Sequence, residues 1–382
     1  MVAALKRLGV AVAHDPASAA IEVRGCGGRI PSKEAELFVA NSGTTIRFLT
    51  AALAACRGRF RLSGTPRMHE RPLGDLLDAI AQLGGTVRSE RGDGCPPVVV
   101  EAAGLPGGRA RVAGSISSQY LSGLLMAAPC AEGTVELCVA GELVSKPYVV
   151  MTLAVMEAFG VRVTHEELGR FVIAPQRYRG CRYAIEPDAS AASYFFAAAA
   201  ITGGEVTVAG LSSQSLQGDV AFVECLRAMG CRVACGADAV TVAGGPLRGI
   251  EVDMNAISDT VQTLAAVALF AEGPTRICNV AHVRHKETDR IAALAAELRK
   301  LGATIGEYED GLAVTPGPLR GADIDTYDDH RMAMSLALVG LRVPGVVIHD
   351  PGCTAKTYPA FFDDLERLSA GSRVAEDRGG PV

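Results

Sequence analysis

Tryptophan is absent from the 382 residues, and aromatic side chains of all kinds make up only 5%. The eight tyrosines and eleven phenylalanines are scattered, so there is no platform of rings for nucleic-acid bases to stack on. Basic residues do not dominate either. Lys and Arg number 37 against 42 Asp and Glu, a net charge of −5, which argues against a nucleic-acid surface. No apolar run reaches the ~18 residues of a membrane helix; the best stretch, 189–201, is short and contains Ser190 and Ser193. A basic region followed by an apolar core is missing from the start, so no secretory leader is read. The eleven cysteines are odd in number and form no Cys-x-x-Cys pair, and Cys225, Cys231 and Cys235 have no His at ligand spacing. Free thiols in a reducing cytoplasm are expected, with no metal and no cofactor. No Gly-x-x-x-x-Gly-Lys-Ser/Thr loop occurs, which removes the nucleoside triphosphatases.

What is present is a repeat. Gly9, Gly84, Gly160, Gly230 and Gly302 recur at intervals of 70–76 residues. Each follows a helical pattern and precedes a segment with apolar residues at alternate positions, a helix stopped by Gly and then a strand. A second helix series runs in step, starting after Asn41, Ser115, Asp188, Ser258 and Asp328 and stopping near Gly58, Gly133, Gly203, Gly273 and Gly345. Each repeat therefore reads roughly as βαβαββ in an α/β (α+β) chain. In the helix expected from Pro72, Leu73, Leu76, Leu77 and Ile80 form one apolar stripe, which needs a partner surface. The repeats should pack around shared helix cores and turn their sheets to water. At this length two domains are expected: 1–184, 185–369 with three repeats, and a disordered tail over 370–382, with the crossover within 177–188. Met1 falls inside the first helix, so the opening strand and loop of the first repeat are expected to be missing.

Polar loops precede both helix series. They include residues 65–71, 143–147, 283–290 and 351–357 before the first series, and 41–47, 115–119 and 327–331 before the second. Helix N-termini present unpaired N–H groups and the positive dipole end. Arg and Lys placed there, with Gly and Ser letting backbone approach, make an anion pocket. One cation at a helix start is ordinarily a solvated residue, and Arg284 and Arg299 are read that way. The same placement in several loops of an acidic chain points to a small polyanionic substrate. Asp259 and Glu287 stand among these cations, where a carboxylate repels such a ligand. That cost has a purpose if the two move protons.

The motifs NSGTTIR (41–47), PRMHERP (66–72), GSISSQYLSGLLMAAP (114–129), LVSKPYVVMTL (143–153), EPDASAASYF (186–195), HKETDRIAALAAELRKLGA (285–303), YDDHRMAM (327–334) and DPGCTAKTYPAFF (350–362) together resemble the 5-enolpyruvylshikimate-3-phosphate synthase family from residue 1 to about 368. The resemblance implies a two-domain enolpyruvyl transferase fold. It implies transfer of enolpyruvyl from phosphoenolpyruvate to shikimate 3-phosphate on the way to chorismate and aromatic amino acids, by a monomeric cytoplasmic enzyme without a cofactor. By the same motifs, Gly43, Arg67, Gln119, Arg290, Arg331 and Lys356 would contact phosphoenolpyruvate. Ser117, Ser118, Gln119, Ser145, Asp259, His282 and Lys286 would contact shikimate 3-phosphate. Asp259 would deprotonate the 5-hydroxyl and Glu287 would protonate the methylene carbon, the two cationic sets facing each other across an interdomain cleft. His282 stands where many relatives carry Asn.

The resemblance also implies about fifty further residues at the start, judged from the ~70-residue repeat, holding a Lys-Ser pair and an Arg. The chain as given is expected to turn over little, and an upstream segment to restore it. Two other readings stand beside this one: a truncated, non-catalytic anion binder, and transfer to UDP-N-acetylglucosamine. The latter type carries a Cys in the mobile loop, and residues 67–71 hold none.

Overall fold

The computed structural model describes residues 1–376, with side chains through 370. Its helices are α1 (Val2–Arg7), α2 (Gly43–Ala54), α3 (Gly74–Gln82), α4 (Ser118–Ala127), α5 (Lys146–Ala158), α6 (Ala189–Thr202), α7 (Phe222–Met229), α8 (Val261–Ala268), α9 (Arg290–Lys300), α10 (His330–Ala337) and α11 (Phe361–Glu376). The two helix series of the sequence are the odd- and even-numbered members up to α10. The odd helices α1 to α9 end just before the five repeating glycines, which take φ between +81° and +115°. At Gly302 (φ +104°) a Cβ would stand 2.3 Å from the Pro318 carbonyl oxygen, and at Gly230 (φ +115°) 2.4 Å from that of Pro246. Both the left-handed turn and the close backbone approach thus require glycine.

Two differences from expectation are local. α3 begins at Gly74 rather than at Pro72, because Leu73 is extended in φ (−137°) and sends its N–H to Gly94 O (2.9 Å). The expected stripe Leu73, Leu76, Leu77 and Ile80 is nonetheless fully buried. The last helix, expected over 358–368, starts at Phe361 and continues to Glu376. The expected tail over 370–382 therefore begins within a helix, and positions 377–382 lie outside the described residues.

Contacts divide the chain into two compact units. Unit 1 comprises Met1–Ala184 with His285–Glu287, and unit 2 comprises Ile185–Arg284 with Thr288–Val382. The apolar core divides likewise into two clusters, one in each unit. Unit 1 holds two four-stranded sheets of the same plan. In each, a parallel pair (Glu34–Phe38 with Arg57–Ser63; Gly108–Ala113 with Val135–Ala140) is extended by an antiparallel hairpin. Unit 2 repeats the plan with Glu251–Asp253, Thr275–Cys278, Gly311–Thr315 and Thr304–Tyr308. The same hairpin stands alone as a two-stranded sheet at Ala11–Asp15 and Ala20–Arg24.

The even helices are the core. All eight residues of α8 and eleven of the fourteen in α6 are buried. Ala-rich sequence lets such helices approach closely; some of their buried polar groups pair internally, whereas both amide atoms of Gln262 in α8 and the Thr50 hydroxyl in α2 have no hydrogen-bond partner. Ser193 of α6, Thr263 of α8 and Ser335 of α10 form a hydroxyl chain at 3.2 and 3.3 Å, so the buried hydroxyls pair with one another. All eleven cysteines are free thiols, and none of the described helices is long and apolar enough to cross a membrane.

The helix-stop geometry is testable by comparing two glycines. Gly203 (φ +78°) has open space where a Cβ would go, so Gly203→Ala should cost roughly 1–2 kcal/mol for the left-handed conformation alone. Gly302→Ala should cost clearly more, because the backbone of Pro318 must also move. Denaturant unfolding of the two variants measures the difference, and equal losses would show that the approach to Pro318 is not limiting.

Candidate functional site

Helix starts supply the polar groups of both units. In unit 2, Asp289 caps α9 by accepting Ala292 N–H (3.1 Å), and Asp329 caps α10 by accepting Arg331 N–H (2.9 Å). These caps place Arg290 and Arg331 in the first turns of their helices. Asp329 does more than cap. Arg290 donates to it twice, from Nε to Oδ2 at 2.8 Å and from Nη2 to Oδ1 at 3.2 Å, and the two side chains are 1% and 0% exposed. Asp259 lies in the 3-10 turn Asn255–Thr260, where Ile257 breaks helical geometry (φ −127°, ψ 37°) ahead of α8. Its carboxylate accepts from Arg290 Nη1 at 3.3 Å and from Arg331 Nη2 at 2.8 Å. The chain enters α10 through two consecutive left-handed residues, Tyr327 (φ 56°) and Asp328 (φ 53°). Strain of that kind persists where surrounding structure enforces it, as it does at many working sites.

His330, beside Arg331, is 3% exposed. Burial, with the Arg331 charge second, pushes its pKa down to about 3. Neutral imidazole is therefore the form present across the physiological range, which avoids a further positive charge beside Arg290 and Arg331. Lys356 closes the 3-10 turn Pro351–Lys356 and is exposed. His282 is buried in the turn Ala281–His285.

In unit 1 the start of α2 is the centre. Ser42 caps the helix by accepting Thr45 N–H (3.2 Å), and Gly43 follows. A Cβ on Gly43 would stand 2.6 Å from Arg71 Nη2 and 3.1 Å from Arg47 Nη1, so only glycine lets two guanidinium groups come this near the helix end. Arg47 and Arg71 are each 3% exposed. Arg47 donates to Gln119 Oε1 at 2.8 Å and to Ser117 Oγ at 3.4 Å, and lies over the Tyr120 ring. Gln119 in turn donates to Thr44 Oγ1 at 3.1 Å. Ser117 caps α4 and Ser118 is its buried first residue. Arg71 donates to Asn41 O at 2.9 Å and meets Glu287 Oε1 at 3.7 Å. Arg67 reaches Glu287 O from Nε (3.2 Å) and Lys286 O from Nη2 (3.3 Å). Ser145 is buried, left-handed (φ 56°), at the start of α5.

Within unit 1 the structure thus joins Gly43, Gln119 and Ser117 through Arg47, and joins Arg67, Lys286 and Glu287. Within unit 2 it joins Asp259, Arg290 and Arg331. Sequence reasoning named those residues but missed the groups that hold them: Arg47, Arg71, Asp329 and Tyr194, whose hydroxyl accepts from Arg331 Nη1 at 3.3 Å. The available signal was their presence inside the same motifs. Among the described residues no group of three or more His, Cys, Asp or Glu is arranged to hold a metal ion.

The pattern of the family described as EPSP synthase (3-phosphoshikimate 1-carboxyvinyltransferase) matches residues 1–365. A 3-phosphoshikimate 1-carboxyvinyltransferase from Nostoc punctiforme is 50% identical over 360 residues, covering 94% of this chain and 84% of that protein. A chloroplastic one from Arabidopsis thaliana is 50% identical over 390 residues, covering 97% and 75%. Among solved structures, EPSP synthase from Acinetobacter baumannii aligns with a TM-score of 0.76 at 25% identity, over 96% of this chain and 86% of that one. The enolpyruvyl transferase NikO from Streptomyces tendae aligns at 0.73 and 24% identity, over 96% and 85%. The expected enolpyruvyl transferase fold is the one these structures share.

Two outcomes follow from the buried charges of unit 2. Asp329→Ala would leave Arg290 buried without its main partner, a change that costs roughly 3–5 kcal/mol; denaturant unfolding should show a loss of that order, and a loss under 1 kcal/mol would contradict the pairing. His330 has a folded pKa below its unfolded value of 6.5. The unfolded chain therefore binds its proton first, and stability falls as pH drops from about 6.5 toward 3, at roughly 1.4 kcal/mol per pH unit for one proton. His330→Gln should flatten the stability–pH curve in that window by up to this slope, and an unchanged curve would mean that His330 takes up its proton while folded.

Proposed function

Because the chain belongs to the EPSP synthase family, we propose that it transfers the enolpyruvyl group of phosphoenolpyruvate to the 5-hydroxyl of shikimate 3-phosphate and releases phosphate. The observation that carries the reading beyond family membership is Asp259 held between Arg290 and Arg331. A proton acceptor and two anion-binding groups are there fixed within one hydrogen-bonded set. Gly43, Arg67, Gln119, Arg290, Arg331 and Lys356 are assigned to phosphoenolpyruvate, whose phosphate and carboxylate suit guanidinium and ammonium partners. Ser117, Ser118, Gln119, Ser145, His282 and Lys286 are assigned to shikimate 3-phosphate. The proposal includes a monomeric, cytoplasmic enzyme of the route to chorismate, as the sequence resemblance implies.

In the addition step the 5-hydroxyl oxygen bonds to C2 of phosphoenolpyruvate, its proton passes to Asp259, and Glu287 gives a proton to C3. The product is a tetrahedral ketal phosphate. In the elimination step the C2–O bond to phosphate breaks, Glu287 takes a proton back from C3, the phosphate leaves with the proton held by Asp259, and the enolpyruvyl ether forms. Both steps need reactants held in line and charge neutralised around phosphate. Arg290, buried and doubly bonded to Asp329, is pre-oriented for that role. Arg67 and Arg71 place Glu287 through its backbone and its carboxylate, which fixes a donor that must reach one carbon atom. Transfer to UDP-N-acetylglucosamine is disfavoured because residues 67–71 contain no Cys to act as acid.

The test is phosphate release by the purified chain with both substrates, joined to calorimetric binding of each. Release that requires both supports the reading; no release and no binding of either substrate overturns it. In a form of the protein that releases phosphate, Asp259→Ala and Glu287→Ala should each lower kcat by about 10²–10⁴-fold, more than they weaken substrate affinity, because proton-transfer groups act on the transition state. A raised KM with unchanged kcat would reduce them to binding groups.

A further inference from the structure

We propose that Tyr194 is a positioning residue for Arg331, the member of the aromatic core that keeps this guanidinium aimed while Asp259 changes its protonation state. The inference rests on the reading that Arg331 binds phosphoenolpyruvate and that Asp259 accepts the hydroxyl proton.

Arg331 is gripped at two nitrogens. Nη2 donates to Asp259 Oδ2 at 2.8 Å and Nη1 donates to the Tyr194 hydroxyl at 3.3 Å. Two partners on different terminal nitrogens fix the plane of a guanidinium as well as its position. The two grips differ in kind. Asp259 holds Arg331 by charge, and that attraction weakens when the carboxylate takes up a proton. Tyr194 holds it as a neutral acceptor. Its ring is 1% exposed, and burial pushes the phenol up to about 12, so its state does not alter during the reaction. At the moment the ketal phosphate forms, Tyr194 is a grip that does not weaken.

The hydroxyl is itself well anchored. Tyr194 packs edge-on against Phe361 (5.5 Å, 74°), which is fully buried. Phe361 also meets Tyr358 (5.8 Å, 72°), Phe195 (6.2 Å) and Phe362 (5.2 Å, 78°). These rings come from α6 and from the start of α11 with the segment before it. Edge-to-face contacts restrict ring rotation, so the start of α11 sets the direction of a hydroxyl that touches the anion-binding arginine. A Phe at position 194 would keep the ring and remove the acceptor for Arg331.

Tyr194→Phe removes the oxygen and keeps the ring. In the full chain it should weaken phosphoenolpyruvate binding, measured by calorimetry, by about tenfold, the scale of one lost hydrogen bond to a charged group. Shikimate 3-phosphate binding should change less than twofold, and the unfolding midpoint by only a few degrees. Unchanged phosphoenolpyruvate affinity would overturn the proposal. So would equal losses for both substrates with a large drop in midpoint, which would make Tyr194 a packing residue. A crystal structure of the variant gives a readout that needs no ligand: the Arg331 guanidinium should be displaced or disordered, and an unmoved Arg331 overturns the proposal independently. If instead the parent chain binds no phosphoenolpyruvate, the functional reading fails, while the position of Arg331 in the variant still decides the role of Tyr194.

Discussion

The working end of unit 2 depends on one buried ion pair, Arg290 with Asp329. Two charges out of water are tolerated only if each satisfies the other in good geometry, and removing either leaves an uncompensated charge. The constraint fixes much else. Asp329 caps α10 with the same carboxylate that takes both bonds from Arg290 on α9, so two helix starts are tied at one point. Arg290 then reaches Asp259, and Asp259 reaches Arg331. The alternation of acid and base along this line keeps every member next to an opposite charge. His330, buried beside it, fits only as the neutral ring.

Unit 1 meets a similar problem with a single buried acid, Glu287, beside its two buried arginines. Arg47 and Arg71 crowd the start of α2, where the helix dipole already disfavours cations. They are held by neutral acceptors, the Gln119 amide, the Ser117 hydroxyl and the Asn41 carbonyl, with Glu287 near Arg71. Gly43 is the geometric condition for this arrangement, since any side chain there would push both guanidinium groups away.

The repeat was legible in the sequence because its signals are local. A helix stop needs glycine for a backbone reason, and an apolar stripe needs 3.6-residue spacing, whatever the tertiary context. Legibility failed where the tertiary context decided. The start of α3 moved because Leu73 finds a backbone partner in Gly94, 21 positions away in the chain. His69, within the polar loop 65–71, is half-buried and bonds Ser63 Oγ at 2.9 Å. The sequence starts α10 after Asp328, whereas the cap is Asp329, and its bond to Arg290 spans 39 positions that no local pattern connects. Tyr194 lies in a run of Ala and Phe where it reads as one more apolar residue. Residues that the resemblance assigns to substrate came with their motifs; the residues that hold them did not.

The helix-stop glycines carry a different consequence. Gly9, Gly84, Gly230 and Gly302 each lie against a proline further along, Pro31, Pro106, Pro246 and Pro318, and the segment between the two is a β-hairpin. Each hairpin is therefore pinched at its base, a loop already closed by its own scaffold. Lengthening a closed loop costs little, since the entropy grows only as about (3/2)RT ln n. The tip at residues 16–19, where Ala17 and Ser18 bond only back to Asp15 in the hairpin, is accordingly a natural port for a grafted peptide or a reporter. The pinch at Gly9 and Pro31 would keep such an addition from propagating into the helices, and the fold offers that insulation at four of its five helix-stop glycines, Gly160 meeting Arg179 instead.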